Sequence, residues 1–288
     1  MAAAVLAEPA DVVARRRTFR QRWYRTPAFV AGLVIVAGMI AAALAAPVIT
    51  RYDPNAQDLL HSYGHPSGDH WLGTDQLGRD VFTRLIYAGR VDLLIGFFAV
   101  LLPFCLGTVL GSLAGYYGGI ADTAVMRLVD VVVAFPFLVL VIALVFVLGP
   151  GARSIVLAIT ILGWVSYARI IRGEVLVQKR QEYVLAAQTA GLGGRRIMLR
   201  HLLPNVVTQA IVFAMSDIVL SILTIVTLGY LGLGVAPPTA DWGSMIAEGE
   251  SLLTTQWQIA TFPGLAVVLI GLGLSLLGDG LADLLRPE

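Results

Sequence analysis

Cysteine is nearly absent from this sequence: Cys105 is the only one in 288 residues. An internal disulfide is thereby excluded, and a Cys-based metal site with it; inside an apolar run, Cys105 reads as a packing residue. Lysine is equally scarce, with Lys179 alone. No Gly-x-x-x-x-Gly-Lys-Ser/Thr pattern precedes it, so the chain has no P-loop to cradle ATP. Neither His-Glu-x-x-His nor Gly-x-Ser-x-Gly occurs, and no enzyme active site is expected. His61, His65 and His70 share one polar segment and His201 stands apart, without the spacing of a zinc site. Neither a metal nor a nucleic acid is expected to bind. Charge is the third scarcity. Charged residues make up 14% of the chain and hydrophobic ones 57%, where soluble domains average about 25% charged. With a mean hydropathy of +0.80, a water-soluble core of this size could not hide so much apolar surface. A bilayer must cover it.

A transmembrane helix needs about 20 mostly apolar residues. Six segments qualify: Ala28–Ile49, Val91–Tyr116, Met126–Leu148, Ser154–Ile171, Val206–Leu233 and Ile259–Leu277. Barrel strands are excluded by segment length. The chain therefore reads as an all-α membrane protein with about six transmembrane helices. Residues 1–27 form a tail, 28–50 the first span, and 51–90 an extracytoplasmic loop. Residues 91–280 form a five-helix core interrupted by a loop at 173–205, and 281–288 form the end. Arginines set the orientation. Arg15, Arg16, Arg17, Arg20, Arg22 and Arg25 crowd the tail, and Arg172, Lys179, Arg180, Arg195, Arg196 and Arg200 the 173–205 loop. Both, and the C-terminal end, are expected to be cytoplasmic. Arg16-Arg17 before an apolar run resembles an export signal superficially, but the run is longer than a signal core, and more membrane follows it.

Three polar segments remain. In the 51–90 loop, Gly73 and Gly78 permit positive φ, Thr74 or Asp75 is placed to cap a helix, and Val81–Arg90 suits an amphipathic helix lying at the interface. The 173–205 loop reads as helix–turn–helix: Glu182 to Gln188 rich in small residues, Gly191 as its stop, then a basic stretch until Pro204 redirects the chain. Ala186, Ala187 and Ala190 would let a partner approach closely. Between the last two spans, Pro237-Pro238 stiffens the loop and Trp242 is expected to anchor at the interface. Arg127 and Asp130 stand at helical spacing for an ion pair. Asp217 admits two readings: part of a substrate path or subunit contact, or a residue in the cytoplasmic mouth of a helix that starts later.

The segment Glu182–Asn205 resembles the cytoplasmic "EAA" loop of bacterial ABC importer permeases. Ala186-Ala187, Gly191, Leu203 and Pro204 fall at the matching spacing. Leu185 and His201 depart from the general form, while Glu182-Tyr183 and Arg200-His201 match the dipeptide/oligopeptide/nickel branch. Leu72-Gly73-Thr74-Asp75, Gly78-Arg79-Asp80, Gly118-Gly119, Arg127-Leu128-Val129-Asp130, Leu231-Gly232-Leu233-Gly234, Pro237-Pro238 and Trp242-Gly243 are similar to the C-type subunit of that branch. Ile225 stands where the family often has an acidic residue. The resemblance implies a type I ABC importer permease fold, paired with a homologous B-type permease to form half of a path for peptides or a related solute. It implies one or two cytoplasmic ABC ATPases, which would carry the ATP and Mg. They would dock at Glu182, Tyr183, Ala186, Ala187, Gly191, Leu203, Pro204 and Asn205. It implies an extracytoplasmic binding protein touching Gly73, Thr74, Asp75, Gly78, Arg79 and Asp80. Pro237, Pro238, Trp242 and Gly243 would form a further outer loop, and the bacterial inner membrane would hold the whole. Residues alone leave two rivals open: an ion-coupled secondary transporter, disfavoured by the lack of a clear internal repeat, and a membrane protein that transports nothing.

Overall fold

The computed structural model describes residues 27–285, so the arginine-bearing tail and residues 286–288 lie outside the described residues. Among the described residues there is no strand, only one isolated bridge between Thr74 and Asp80. The main helices are α1 (Pro27–Leu44), α2 (Val81–Tyr117), α3 (Gly119–Val133), α4 (Phe137–Leu148) and α5 (Ala152–Gln178). They continue with α6 (Glu182–Thr189), α7 (Leu203–Tyr230), α8 (Trp242–Glu250) and α9 (Gln258–Leu285). Among the described residues, five helices are long and apolar enough to cross a membrane, or six if the bent pair α3–α4 is one span. Call the end that carries the 51–80 loop upper and the end that carries α6 lower.

Three expectations about the spans need correction. Val81–Arg90 is not a separate interfacial helix; it is the start of α2, whose 37 residues rise about 55 Å against roughly 30 Å of hydrocarbon. The helix runs on because Arg84, which would otherwise demand solvent, is neutralised where it stands. The third span is broken, with α3 and α4 meeting at 90°. Pro136 has no N–H to continue the ladder and disfavours α geometry at Phe135. Pro204, by contrast, does not redirect the chain. Residues 194–230 form one continuous helical run, and the π-helical stretch Met198–Leu202 widens the turn where proline withholds its donor.

The most extensive packing joins α2 and α5. Gly107, Gly111 and Gly115 recur every fourth residue along α2 and face α5. A Cβ on Gly111 would lie 2.5 Å from the Ala168 carbonyl oxygen and 2.9 Å from its Cα; one on Gly115 would lie 2.9 Å from Val175 Cβ. Lipid offers no hydrophobic drive between helices, so such small-residue seams let backbones gain van der Waals contact instead. The lower end of the seam is fastened by charge: Arg172 grips Asp122 of α3 through two contacts, Nη2 to Oδ2 at 2.7 Å, and Lys179 donates to the Tyr116 carbonyl. Arg127 and Asp130 are both exposed, and among the described residues no ion pair joins them. On the other side α1 packs on α9 at Gly32 and Gly273. Outward faces stay apolar, as Phe146 and Val147 show at 75% and 79% exposure, consistent with lipid contact.

Gly111→Leu should push α2 from α5 and cost about 3 kcal/mol or more, seen as loss of a monodisperse peak and of thermal stability in mild detergent. Gly173→Ala, on α5 with nothing near its Cβ, should leave stability unchanged or raise it by about 0.5 kcal/mol.

Candidate functional sites at the two ends and a cavity between them

At the upper end, the 51–80 loop is folded by a charge cluster. Gly73 and Gly78 take φ of 77° and 71°, as their place in the sequence predicts. Asp75 accepts from Arg79 Nε at 2.6 Å and lies 3.0 Å from Arg84 Nη1. Glu248 of α8 receives Arg79 Nη2 and Arg84 Nη2, both at 3.1 Å. Burial pushes the Glu248 carboxyl above its ordinary range, and Arg79 pulls it back down. The helix cap is Asp80 rather than Thr74 or Asp75: it accepts from the Thr83 N–H at 2.7 Å and pairs with His70 Nδ1 at 2.8 Å. Thr74 donates to the His61 carbonyl and accepts from the Gly64 N–H. Gly73, Thr74, Asp75, Gly78, Arg79 and Asp80 are therefore all buried. As placed, they hold the loop's shape and present little of themselves, while Leu60, Trp71 and Gln76 are exposed around them.

Trp242 corrects another expectation. It is 2% exposed and so is no interfacial anchor. Asp241 caps α8 with a capping box through Ser244, and this turns the indole inward. Its Nε1 donates to the Leu85 carbonyl at 3.1 Å, and its backbone N–H donates to Asp92 at 2.9 Å. Asp92 is wholly buried. Gly243 is buried against Gly229; Pro237 and Pro238 are exposed.

At the lower end, α6 stands out from the bundle on two residues. Val184 and Ala187 are buried in a cluster with Ile171, Val175, Ile197, Leu202 and Val206. Glu182, Tyr183, Leu185 and Ala186 face outward. Gly191, at φ 76°, closes the helix: its N–H donates to the Gln188 carbonyl at 2.9 Å and that of Leu192 to Ala187 at 3.2 Å. This paired pattern needs a left-handed residue, for which glycine is suited. Tyr183 donates to Gln178 Oε1 at 2.9 Å and accepts from Asn205 Nδ2 at 3.3 Å. Pro204 and Asn205 are exposed and Leu203 is half-buried. Of the eight residues picked from sequence, Ala187 thus faces inward, Leu203 packs half-buried on the same cluster, and the other six are exposed. Arg195, Arg196 and Arg200 line an open groove beside them.

Between the ends lies a cavity of about 540 Å³. The α3–α4 bend, α5 and α7 wall it with Val132, Phe135, Ser166, Asp217, Ser221 and Thr224 among others. Asp217 accepts a hydrogen bond from the Tyr167 hydroxyl at 2.8 Å. The 90° break makes this space. Sequence reading missed the break and the glycine seam; the four-residue spacing of glycines was the signal for the seam, whereas Pro136 alone does not tell a break from a continuous helix.

The comparisons agree with this architecture. Residues 107–288 match the family described as "Binding-protein-dependent transport system inner membrane component". Residues 15–66 match "N-terminal TM domain of oligopeptide transport permease C". The oligopeptide transport system permease protein OppC of Bacillus subtilis is 41% identical over 258 residues, 89% of this chain and 84% of that protein. The glutathione transport system permease protein GsiD of Pectobacterium atrosepticum is 41% identical over 273 residues, 94% of this chain and 91% of that protein. The dipeptide transport system permease protein DppC of Alkalihalophilus pseudofirmus is 37% identical over 273 residues, covering 95% and 90%. An all-helical bundle, five or six candidate spans and a family match over more than half its length together place this chain in the binding-protein-dependent transport system inner membrane component family, as a transmembrane ABC importer permease of the dipeptide/oligopeptide/nickel branch, C type.

Proposed function

We propose that this permease lines half of a path for peptides or a closely related small solute, opposite a homologous B-type permease, and that ATP hydrolysis on one or two separate cytoplasmic ATPases moves it. The ATP and its Mg belong to those subunits. The observation that carries the proposal is α6: an exposed eight-residue helix fixed to the bundle by Val184 and Ala187. A helix held on one face and bare on the other suits docking into a groove of a moving partner. Leu185, Ala186 and Gly191 would touch the ATPase, with Glu182, Tyr183, Pro204 and Asn205 at the edge. The same cluster that seats α6 continues to Tyr167 on α5, so a push on α6 has a packed route to the cavity. The substrate class is supported by the printed functions of the relatives, which include oligopeptide, dipeptide and glutathione transport.

In this reading the lower end is cytoplasmic. Arg195, Arg196 and Arg200 favour it, and both chain ends fall on that side of a bacterial inner membrane. The upper loop then receives solute from an extracytoplasmic binding protein. Its contact would be the exposed rim of Leu60, Trp71 and Gln76, with Pro237 and Pro238 nearby in function as a second rim. The buried Asp75–Arg79–Arg84–Glu248 cluster would keep that rim rigid.

Expression with the neighbouring permease and ATPase, followed by pull-down in mild detergent, tests the lower site. Gly191→Glu should release the ATPase and keep the permease partner; ATPase retention with normal transport would refute docking at α6. For the upper site, Glu248→Ala leaves two buried guanidinium groups on Asp75 alone. It should lower stability by on the order of 2 kcal/mol in thermal unfolding and blunt ATPase stimulation by the binding protein. Gln76→Arg should blunt stimulation with stability unchanged. Full stimulation in both variants would remove the upper loop from the binding-protein contact.

A further inference from the structure

Among the described residues, Asp217 is the one ionisable group lining the central cavity. It stands fourteen residues from Leu203 and thirteen from Tyr230, midway along α7, so about 20 Å of helix rise separates it from either end. It is not in a mouth. A carboxylate at such depth costs roughly 2.5–3.5 kcal/mol on insertion scales, and a helix keeps one where a wet cavity or a partner faces it.

Tyr167 satisfies one oxygen, Oδ2. Among the described residues Oδ1 has no hydrogen-bond partner, yet it is not among the sealed polar atoms; it opens on the cavity. Ser221 and Thr224 follow on the same face of α7, and Ser166 lines the cavity from α5. No arginine, lysine or histidine lines this space, and its other walls are largely apolar. A lone negative charge between low-dielectric walls attracts a cation strongly.

The coordination chemistry narrows which cation. Calcium and magnesium want six or more hard oxygen ligands and zinc or nickel a cluster of His, Cys or carboxylate groups, and no cluster of three metal-ligating side chains exists among the described residues. A guanidinium is best held by both oxygens of a carboxylate, and Tyr167 occupies one of them. An ammonium is a compact charge with three donors; Oδ1 and nearby hydroxyls match it.

We propose that Asp217 is a transit site for the ammonium group of the translocated solute. This rests on reading the cavity as half of the path; given that, it makes a free amine a feature the path selects.

Two measurements test it and separate it from the peptide reading. In the first, the assembled importer in nanodiscs is treated with a hydrophobic carbodiimide, and modification of Asp217 is followed by peptide mass spectrometry. Trimethylammonium should slow that modification about tenfold, equivalent to roughly 1.4 kcal/mol, while tert-butanol, a neutral molecule of similar size, should not. Equal modification with either probe would overturn the site. In the second, uptake of trialanine into proteoliposomes should fall about tenfold in Asp217→Asn, the factor expected for the loss of one charged contact, and remain substantial in Asp217→Glu. N-acetylation of the peptide should slow the wild type and leave Asp217→Asn unaffected. Asp217→Asn uptake equal to wild type would refute the transit role. Loss of the partner permease from the Asp217→Asn complex would reassign the residue to a subunit contact and refute it too. A wild type that takes up no peptide, yet shows trimethylammonium protection, would refute the peptide reading and leave the cation site standing.

Discussion

The approach of α2 to α5 along Gly107, Gly111 and Gly115 is the contact on which the remaining structure depends. It brings the α2 backbone against the Ala168 backbone, a separation no larger residue permits. That approach fixes the lower ends together, where Lys179 reaches the Tyr116 carbonyl. It also fixes the level of Tyr167, and hence of the hydroxyl that meets Asp217. At its other end α2 runs on beyond the hydrocarbon and delivers Arg84 to Asp75 and Glu248. One continuous helix therefore registers the upper loop, the cavity and the lower helix against one another. Lipid supplies no hydrophobic force for this; shape has to.

Charge follows a different rule at each level. At the upper end, Arg79 and Arg84 are buried together with Asp75 and Glu248, which keeps the loop in one conformation. Along the lower side Arg172 is paired with Asp122, and Arg195, Arg196 and Arg200 stay at the open groove. At mid-depth a single carboxylate stands with a tyrosine hydroxyl for company. The first two arrangements explain themselves as structure. The third is the one that structure alone does not require, because an asparagine could accept the same hydrogen bond at lower cost.

How much of this was legible in the sequence depended on whether a feature is local. The spans were, because twenty apolar residues need no partner to be recognised. The helix stop at Gly191 was, because a left-handed cap is chemistry within six residues. The positive φ at Gly73 and Gly78 was legible for the same reason. Burial was not. Asp75, Arg79 and Asp80 look like surface residues in a polar loop, and only the arrival of Glu248, far along the chain, shows that they face inward. Trp242 misled in the same way: an aromatic near a span end is a good interfacial anchor until Gly89 leaves a slot for it. Pro136 and Pro204 make the contrast plain. Both lack the same donor. At Pro136 the chain breaks by 90°, while at Pro204 a π-helical turn absorbs the defect, and no local rule distinguishes the two outcomes.

That difference between the prolines bears on how the molecule could move. A break at Pro136 divides the span into two pieces, α3 and α4, that meet at 90°, and the cavity lies against the bend. The continuous passage through Pro204 instead joins the basic stretch after α6 to the full length of α7, on which Asp217 stands. A displacement of α6 would thus be carried upward by α7 as a rigid rod, while the wall formed by α3 and α4 gives way at its hinge. Packed cores shift between discrete arrangements rather than bend continuously. A stiff rod and a hinged wall on opposite sides of one cavity are therefore what a path that opens alternately to its two ends needs.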